Sequence, residues 1–216
     1  MRPEYKAVIF DMDGTLIDSM WVWTRLDEKF FEEHHITMPD TFARDIEGLS
    51  MQETAEYFIR TFHLDYSVPE LMNIWNEMAA WEYTHEVPYK EGAYAFLKHL
   101  RSLGIKTGIA TSNTRELVQM VDEHLHFLPY IDVLVTTNEV PKGKPAPDIY
   151  LLVAEKLKVA PRDCLVFEDI PGGILAGKNA GMTTCAVQDE FSAHLEEEKR
   201  SLADYFINSF QEILKE

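Results

Sequence analysis

Apolar positions along this chain fall into two kinds of run. Val8, Ile9 and Phe10 form a short unbroken run with the length of a strand buried on both faces. Further on, such runs alternate with stretches whose apolar residues recur three and four positions apart, the period of a helix. "IKTGIAT" (105–111) is followed by a helical pattern over 114–125, then by "IDVLVT" (131–136). The helix pattern "PDIYLLVAEKL" (147–157) leads to "CLVFED" (164–169), then "GGILAGKNAG" (172–181) and "TTCAV" (183–187). "DYFINSFQEIL" (204–214) supplies a last strand and helix. This rhythm predicts an α/β fold: a doubly wound parallel sheet with helices on both faces. Gly104 and Gly181 each stand between a helix pattern and the next strand, where helix C-termini favour glycine.

Residues 18–87 break the rhythm. They show helical patterns at 19–34, 51–63 and 68–86, with Pro39, Gly48 and Pro69 in or beside the breaks and Pro88 closing the block. The expected organisation is an α/β core of 1–17 and 88–216 with a helical cap domain, 18–87, inserted after the first strand.

Composition narrows the function. Of 216 residues, 46% are hydrophobic and 26% charged, a globular balance. The net charge of −17 repels nucleic acid and anionic membranes, and no basic stripe offsets it. Residues 18–87 hold 15 acidic and 4 basic side chains, so −11 of that charge lies in the insert. No apolar run approaches the ~18 residues of a membrane span, and the N-terminus enters strand pattern without a signal-peptide core. The expectation is a cytoplasmic protein, monomeric or weakly dimeric, with no nucleic-acid or membrane partner. Cys164 and Cys185 lie in strand-like runs outside any CxxC pair and read as buried free thiols.

Candidate chemistry gathers where the strands end. Open parallel sheets bind ligands at the carboxyl edge of their strands. One strand ends in Asp11 and Asp13, a second in Thr111, Ser112 and Asn113, and a third in Glu168 and Asp169. Lys144 falls in the loop "KGKPAPD" just before a helix start. Each piece alone has an ordinary structural explanation: an aspartate capping a turn, a Thr-Ser-Asn helix cap, a solvated loop lysine. Their coincidence at one sheet edge has none. Four crowded carboxylates repel unless a counter-ion joins them, and a hard divalent cation with oxygen ligands, Mg²⁺ above all, removes the conflict. Lys144 and the donors of Thr111, Ser112 and Asn113 then suit a tetrahedral anion. Together these groups describe phosphoryl transfer.

The segments "DMDGTLIDS", "ATSN", "GKPAPDIY" and "VFEDIPGGILAGKNAGM" resemble, in order and over essentially the whole chain, the haloacid dehalogenase-like superfamily, in its branch of phosphatases and β-phosphoglucomutase-like proteins with a helical cap. The resemblance implies that Asp11 is the nucleophile and forms an aspartyl-phosphate, while Asp13 protonates the leaving alcohol and then activates water. It implies that Mg²⁺ is held by Asp11, Asp169 and the backbone carbonyl of Asp13, with Glu168 behind or through water. Thr111 and Lys144 would hold phosphoryl oxygens.

Several reactions share this superfamily. Asp13 argues against dehalogenation, since the resembling dehalogenases lack the second aspartate. Phosphonate cleavage needs a cap lysine, and Lys29, the sole lysine of the insert, does not match its place. The alternative retained is a sugar-phosphate mutase. Mutase relatives carry a His on the first cap helix and an Arg after a G-x-S turn, where this chain has Trp23 and Met51. The expected function is therefore Mg²⁺-dependent hydrolysis of a small phosphomonoester, with Trp23 contacting the substrate. Trp21, Trp75 and Trp81 read as packing within the insert.

Overall fold

The computed structural model describes residues 5–46 and 51–215. Gly48 and the G-x-S stretch at 48–50, invoked above for the insert, lie outside them. The chain forms two compact units, one running to Met20 and from Glu86 onward, the other Trp21–His85.

In the first unit, β1 (Ala7–Phe10) leads into the second unit, whose helices are α1 (Trp21–Glu33), α2 (Phe42–Ile46), α3 (Met51–Phe62) and α4 (Val68–His85). The chain then continues through α5 (Ala93–Ser102), β2 (Lys106–Thr111), α6 (Arg115–Leu125), β3 (Val133–Thr136) and α7 (Asp148–Leu157). It closes with β4 (Cys164–Glu168), α8 (Pro171–Asn179), β5 (Thr183–Val187), α9 (Glu196–Leu202), β6 (Tyr205–Ile207) and α10 (Gln211–Leu214). The strands form one sheet in the order β3-β2-β1-β4-β5-β6, every neighbouring pair parallel. Strand order reverses at β1, which places the ligand-binding crevice of such a fold at its carboxyl end.

Burial on both faces explains the unbroken apolar strands. Ala7 and Ile9 join Ala110, Val135, Val166 and the α7 residues Ile149, Tyr150 and Val153 in one core. Phe10 packs the other way, with Phe96, Phe167 and Phe210 in ring contacts of 5.4–6.1 Å. Cys164 and Cys185 are buried free thiols.

Element ends differ from the sequence reading by a few residues, for local reasons. Ile105 opens no strand because its N–H closes α5 on Leu100 O (3.1 Å), with Gly104 at φ +68° bonding Arg101 O. That is a Schellman cap, and Gly181 (φ +74°) and Met182 repeat it after α8. The helices α2 and α9, five and seven residues long, are too short for a 3.6-residue period to register.

The second unit packs α1, α3 and α4 around Phe30, Phe31, Phe58 and Trp75, with Phe30–Trp75 and Phe58–Trp75 meeting edge to face. Trp81 departs from the expected packing role: it is 48% exposed, stacked on His85 and with the Lys29 ammonium 5.5 Å from its ring centroid. Buried Glu82 draws in Lys29 (2.9 Å) and Arg25 (3.2 Å).

Candidate active site

Register brings the acids together. Phe10 pairs with Ile109 on one side and Phe167 on the other, so the residues that follow, Asp11, Ala110 and Glu168, stand abreast at the sheet's carboxyl edge. The Asp11 N–H donates to Phe167 O at 3.0 Å and continues the ladder one step beyond β1. One carboxylate oxygen each from Asp11, Glu168 and Asp169 falls within 4.8 Å of the others.

Lys144 enters this group from the loop before α7. Its Nζ lies 2.6 Å from Asp11 Oδ1 and 2.6 Å from Glu168 Oε1, and donates to Ala110 O at 3.0 Å. Burial works against its charge, but Asp11 and Glu168 outweigh burial and raise the ammonium pKa. The Tyr150 hydroxyl, wholly buried on α7, donates to the same Glu168 oxygen. The other oxygen, Oε2, is buried with no hydrogen-bond partner. Burial pushes the Glu168 carboxyl up to about 7, with Lys144 opposing the rise and Asp11 adding to it. Asp169 is raised well above the usual carboxylate range by burial and by the neighbouring charges of Asp11, Glu168 and Asp189.

Two glycines make room for these acids. An ideal Cβ on Gly173, in the first turn of α8, would lie 2.0 Å from the Glu168 carboxylate. Gly14 has φ +73°, and a Cβ there would lie 2.5 Å from Asp169 Oδ2. Thr15 Oγ1 donates to the other Asp169 oxygen at 3.0 Å.

Asp13 is engaged separately. Ser19 Oγ donates to Oδ1 at 2.6 Å, and Asn113 Nδ2 donates to Oδ2. Of the donors expected to face an anion, Asn113 therefore directs its amide at Asp13. Thr111 is buried and its Oγ1 accepts the Asn113 N–H (3.0 Å), while Ser112 is exposed. Trp23 stands half-buried on α1 in the other unit, one turn before Asp27, whose carboxyl is pushed up to about 7 by burial and then by Glu28. Thr15, Ser19 and Tyr150 were not singled out from sequence. Thr15 and Ser19 carried a signal, since both lie within the motif that holds Asp11 and Asp13.

Do these residues fit a divalent cation? The donors are hard oxygens, three carboxylates converge, one buried carboxylate oxygen lacks a partner, and two of the acids are held toward protonation. Each of those features suits a site that receives a positive charge. The group fits.

A doubly wound parallel sheet with an acid–lysine cluster at its switch point defines an α/β enzyme built for charged, oxygen-rich substrates. The haloacid dehalogenase-like hydrolase model matches residues 8–187, and the chain belongs to that family, in its phosphatase branch, as a phosphoric monoester hydrolase. It is similar to validoxylamine A 7'-phosphate phosphatase of Streptomyces hygroscopicus subsp. limoneus, 34% identical over 185 residues, 82% of this chain and 83% of the relative. Hexitol phosphatase A of Escherichia coli is 31% identical over 194 residues, 84% of this chain and 82% of the relative. Among solved structures, a candidate β-phosphoglucomutase from Thermotoga maritima superposes with a TM-score of 0.82 at 28% identity, covering 97% of each chain. No helix among the described residues is long and apolar enough to cross a membrane.

Proposed function

We propose that this chain is a Mg²⁺-dependent phosphatase of small, polyol- or sugar-like monophosphates, acting through an aspartyl-phosphate on Asp11. The observation that carries this reading is the Asp11 carboxylate: it stands at the end of the central strand, 2.6 Å from Lys144 and inside the three-acid cluster. Asp11 Oδ2 is not the oxygen bound by Lys144, so one oxygen can attack phosphorus while the other stays anchored. Lys144, joined by Thr111, takes up charge on the phosphoryl oxygens as the bond to the leaving alcohol breaks. Asp13, steered by Ser19 and Asn113, gives the alcohol its proton and then removes one from the water that hydrolyses the intermediate. Asp11, Asp169 and the Asp13 backbone carbonyl would hold Mg²⁺, with Glu168 behind them. When bound, Mg²⁺ supplies positive charge to the phosphoryl group and to the crowded acids.

Two relatives are named for validoxylamine A 7'-phosphate and for hexitol, which supports a hydroxyl-rich leaving group. The helical unit supports monophosphates over bisphosphates. Arg25 and Lys29, two of the four basic residues in 18–87, are committed to Glu82 and so leave little charge for a second phosphate, which a mutase must hold. Trp23 would offer the leaving group a ring face. The test is phosphate release from hexitol, sugar and nucleoside monophosphates with Mg²⁺ or with EDTA. Asp11→Asn should lower turnover at least about 10³-fold with the fold intact. Near-normal release by that variant, or full activity in EDTA, would remove the mechanism. Sugar 1-phosphate to 6-phosphate isomerisation outpacing release would favour the mutase.

A further inference from the structure

Behind Asp169 lies a buried cation that the reaction above does not use. Lys199, on α9, is 0% exposed, and among the described residues no carboxylate lies within ion-pair distance of its Nζ. Fully burying an ammonium group without a direct counter-ion is costly, so its surroundings need a reason. Its Nζ donates to Ser192 Oγ at 3.0 Å and to Val187 O, the last residue of β5, at 3.3 Å. Ser192, itself buried, passes the contact on: its Oγ donates to the backbone carbonyl of Asp169 at 2.8 Å. The segment between these residues is pinned at a second point, where buried Asp189 accepts from Lys90 at 2.9 Å and from the Phe191 N–H at 2.9 Å. Burial lowers the Lys199 ammonium pKa, and Asp169 and Asp189 supply longer-range negative charge that opposes the drop.

The chain of bonds ends on Asp169, which follows β4 without a ladder bond like the one that holds Asp11. Asp11 continues the ladder of β1, and Glu168 is the last residue of β4. Asp169 lies one step past β4, and its carbonyl is tied to Ser192 across 23 residues of sequence. Resting on the magnesium reading above, we propose that Ser192 and Lys199 are positioning residues that hold the Asp169 backbone so that its carboxylate is preset for the metal.

Mn²⁺ binding, followed by the electron paramagnetic resonance signal of free Mn²⁺, tests this without turnover. Wild type, Asp169→Asn, Ser192→Ala and Lys199→Met are compared, with thermal unfolding in EDTA as the control for folding. Ser192→Ala should weaken Mn²⁺ binding about tenfold, the effect of losing a partner one bond removed from a metal ligand, while metal-free unfolding stays cooperative at a lower temperature. Lys199→Met should also weaken it. Removing a positive charge would by itself tighten a cation, so weaker binding there reports lost positioning. Wild-type affinity in folded Ser192→Ala, or tighter binding in Lys199→Met, would overturn the relay; should Lys199→Met fail to fold, Ser192→Ala decides alone. Equal binding by wild type and Asp169→Asn would instead overturn the metal reading itself.

Discussion

Gly172 and Gly173 are adjacent in the first turn of α8, yet a methyl group at each should have opposite consequences. A Cβ at Gly172 would meet nothing within 4 Å, whereas one at Gly173 would lie 2.0 Å from the Glu168 carboxylate carbon and from Oε1 and 2.1 Å from Oε2. Ordinary contact needs about 3.4 Å or more, so in Gly173→Ala something must move by more than about 1 Å. The obstructing atoms are the end of a side chain, and the fold can survive their movement. Glu168 cannot move without cost, because Oε1 holds Lys144 at 2.6 Å and the Tyr150 hydroxyl. Losing or stretching those bonds in a buried site costs roughly 1–3 kcal/mol. A shift of about 1 Å in a positioned group can cost on the order of 10²-fold in rate.

Gly173→Ala is therefore expected to fold, to melt a few degrees lower, and to lose about 10²-fold in kcat together with metal affinity. Gly172→Ala should keep wild-type kinetics and gain up to about 1 kcal/mol from helix propensity. Phosphate-release kinetics against Mg²⁺ concentration, with thermal melts of both variants, make the comparison. Wild-type turnover and metal dependence in Gly173→Ala would refute the claim that α8 approaches Glu168 this closely for a functional reason.

Lys144→Met should lower turnover about 10²–10³-fold at saturating Mg²⁺, the scale of losing one donor aimed at developing phosphoryl charge; a loss under tenfold would remove Lys144 from that role. In EDTA, stability should fall as pH rises from 5 to 8. Glu168, raised from 4.5 to about 7 in the folded state, holds a proton there that the unfolded chain has already released. The shift amounts to about 3 kcal/mol, or roughly 6–12 °C in Tm, with Asp169 acting in the same direction. Mg²⁺ would bind the deprotonated acids, so the gap between Tm with Mg²⁺ and Tm with EDTA should widen with pH; a constant or narrowing gap would contradict it. Because Arg25 and Lys29 are paired with Glu82, a hexitol monophosphate should surpass a sugar bisphosphate in kcat/KM by about tenfold or more, about 1.4 kcal/mol. Equal values in a competition assay would count against it.

The core strands were legible because burial on both faces leaves a simple trace: an unbroken apolar run that stops at a polar residue. Asp11, Thr111 and Glu168 stood out for the same reason, each closing or following such a run. What stayed hidden needed a third dimension. Tyr150 lies in the apolar pattern of α7 and reads as core, which it is, but its hydroxyl reaches Glu168. Lys199 sits in "EEEKR", a charge run that reads as a solvated face, although α9 turns this one lysine wholly inward. Ser192 has no motif at all. Trp81 errs in the opposite sense: helical spacing suggests packing, and nearly half of it is exposed. Asn113 reads as an anion donor from its place in a cap cluster, whereas in the fold its amide donates to Asp13.

Strand spacing explains why this sheet can assemble such a cluster at all. Neighbouring strands lie ≈ 4.7–4.9 Å apart, about the distance over which two carboxylates can share one cation. Asp11 and Glu168 come from β1 and β4, direct neighbours at the centre of the sheet, and Thr111 ends β2 on the other side of β1. The shared register does the rest. A slip of one residue between β1 and β4 would turn Ala7 and Ile9 out of one core, Phe10 out of the other, and Asp11 away from Glu168 in the same movement. The apolar packing that forbids the slip therefore also fixes the carboxylates, at a strength no set of mutually repelling acids could supply. Asp169 lies beyond the last paired residue and escapes that control. Hydrogen bonds from Thr15 to its carboxylate and from Ser192 to its carbonyl hold it instead.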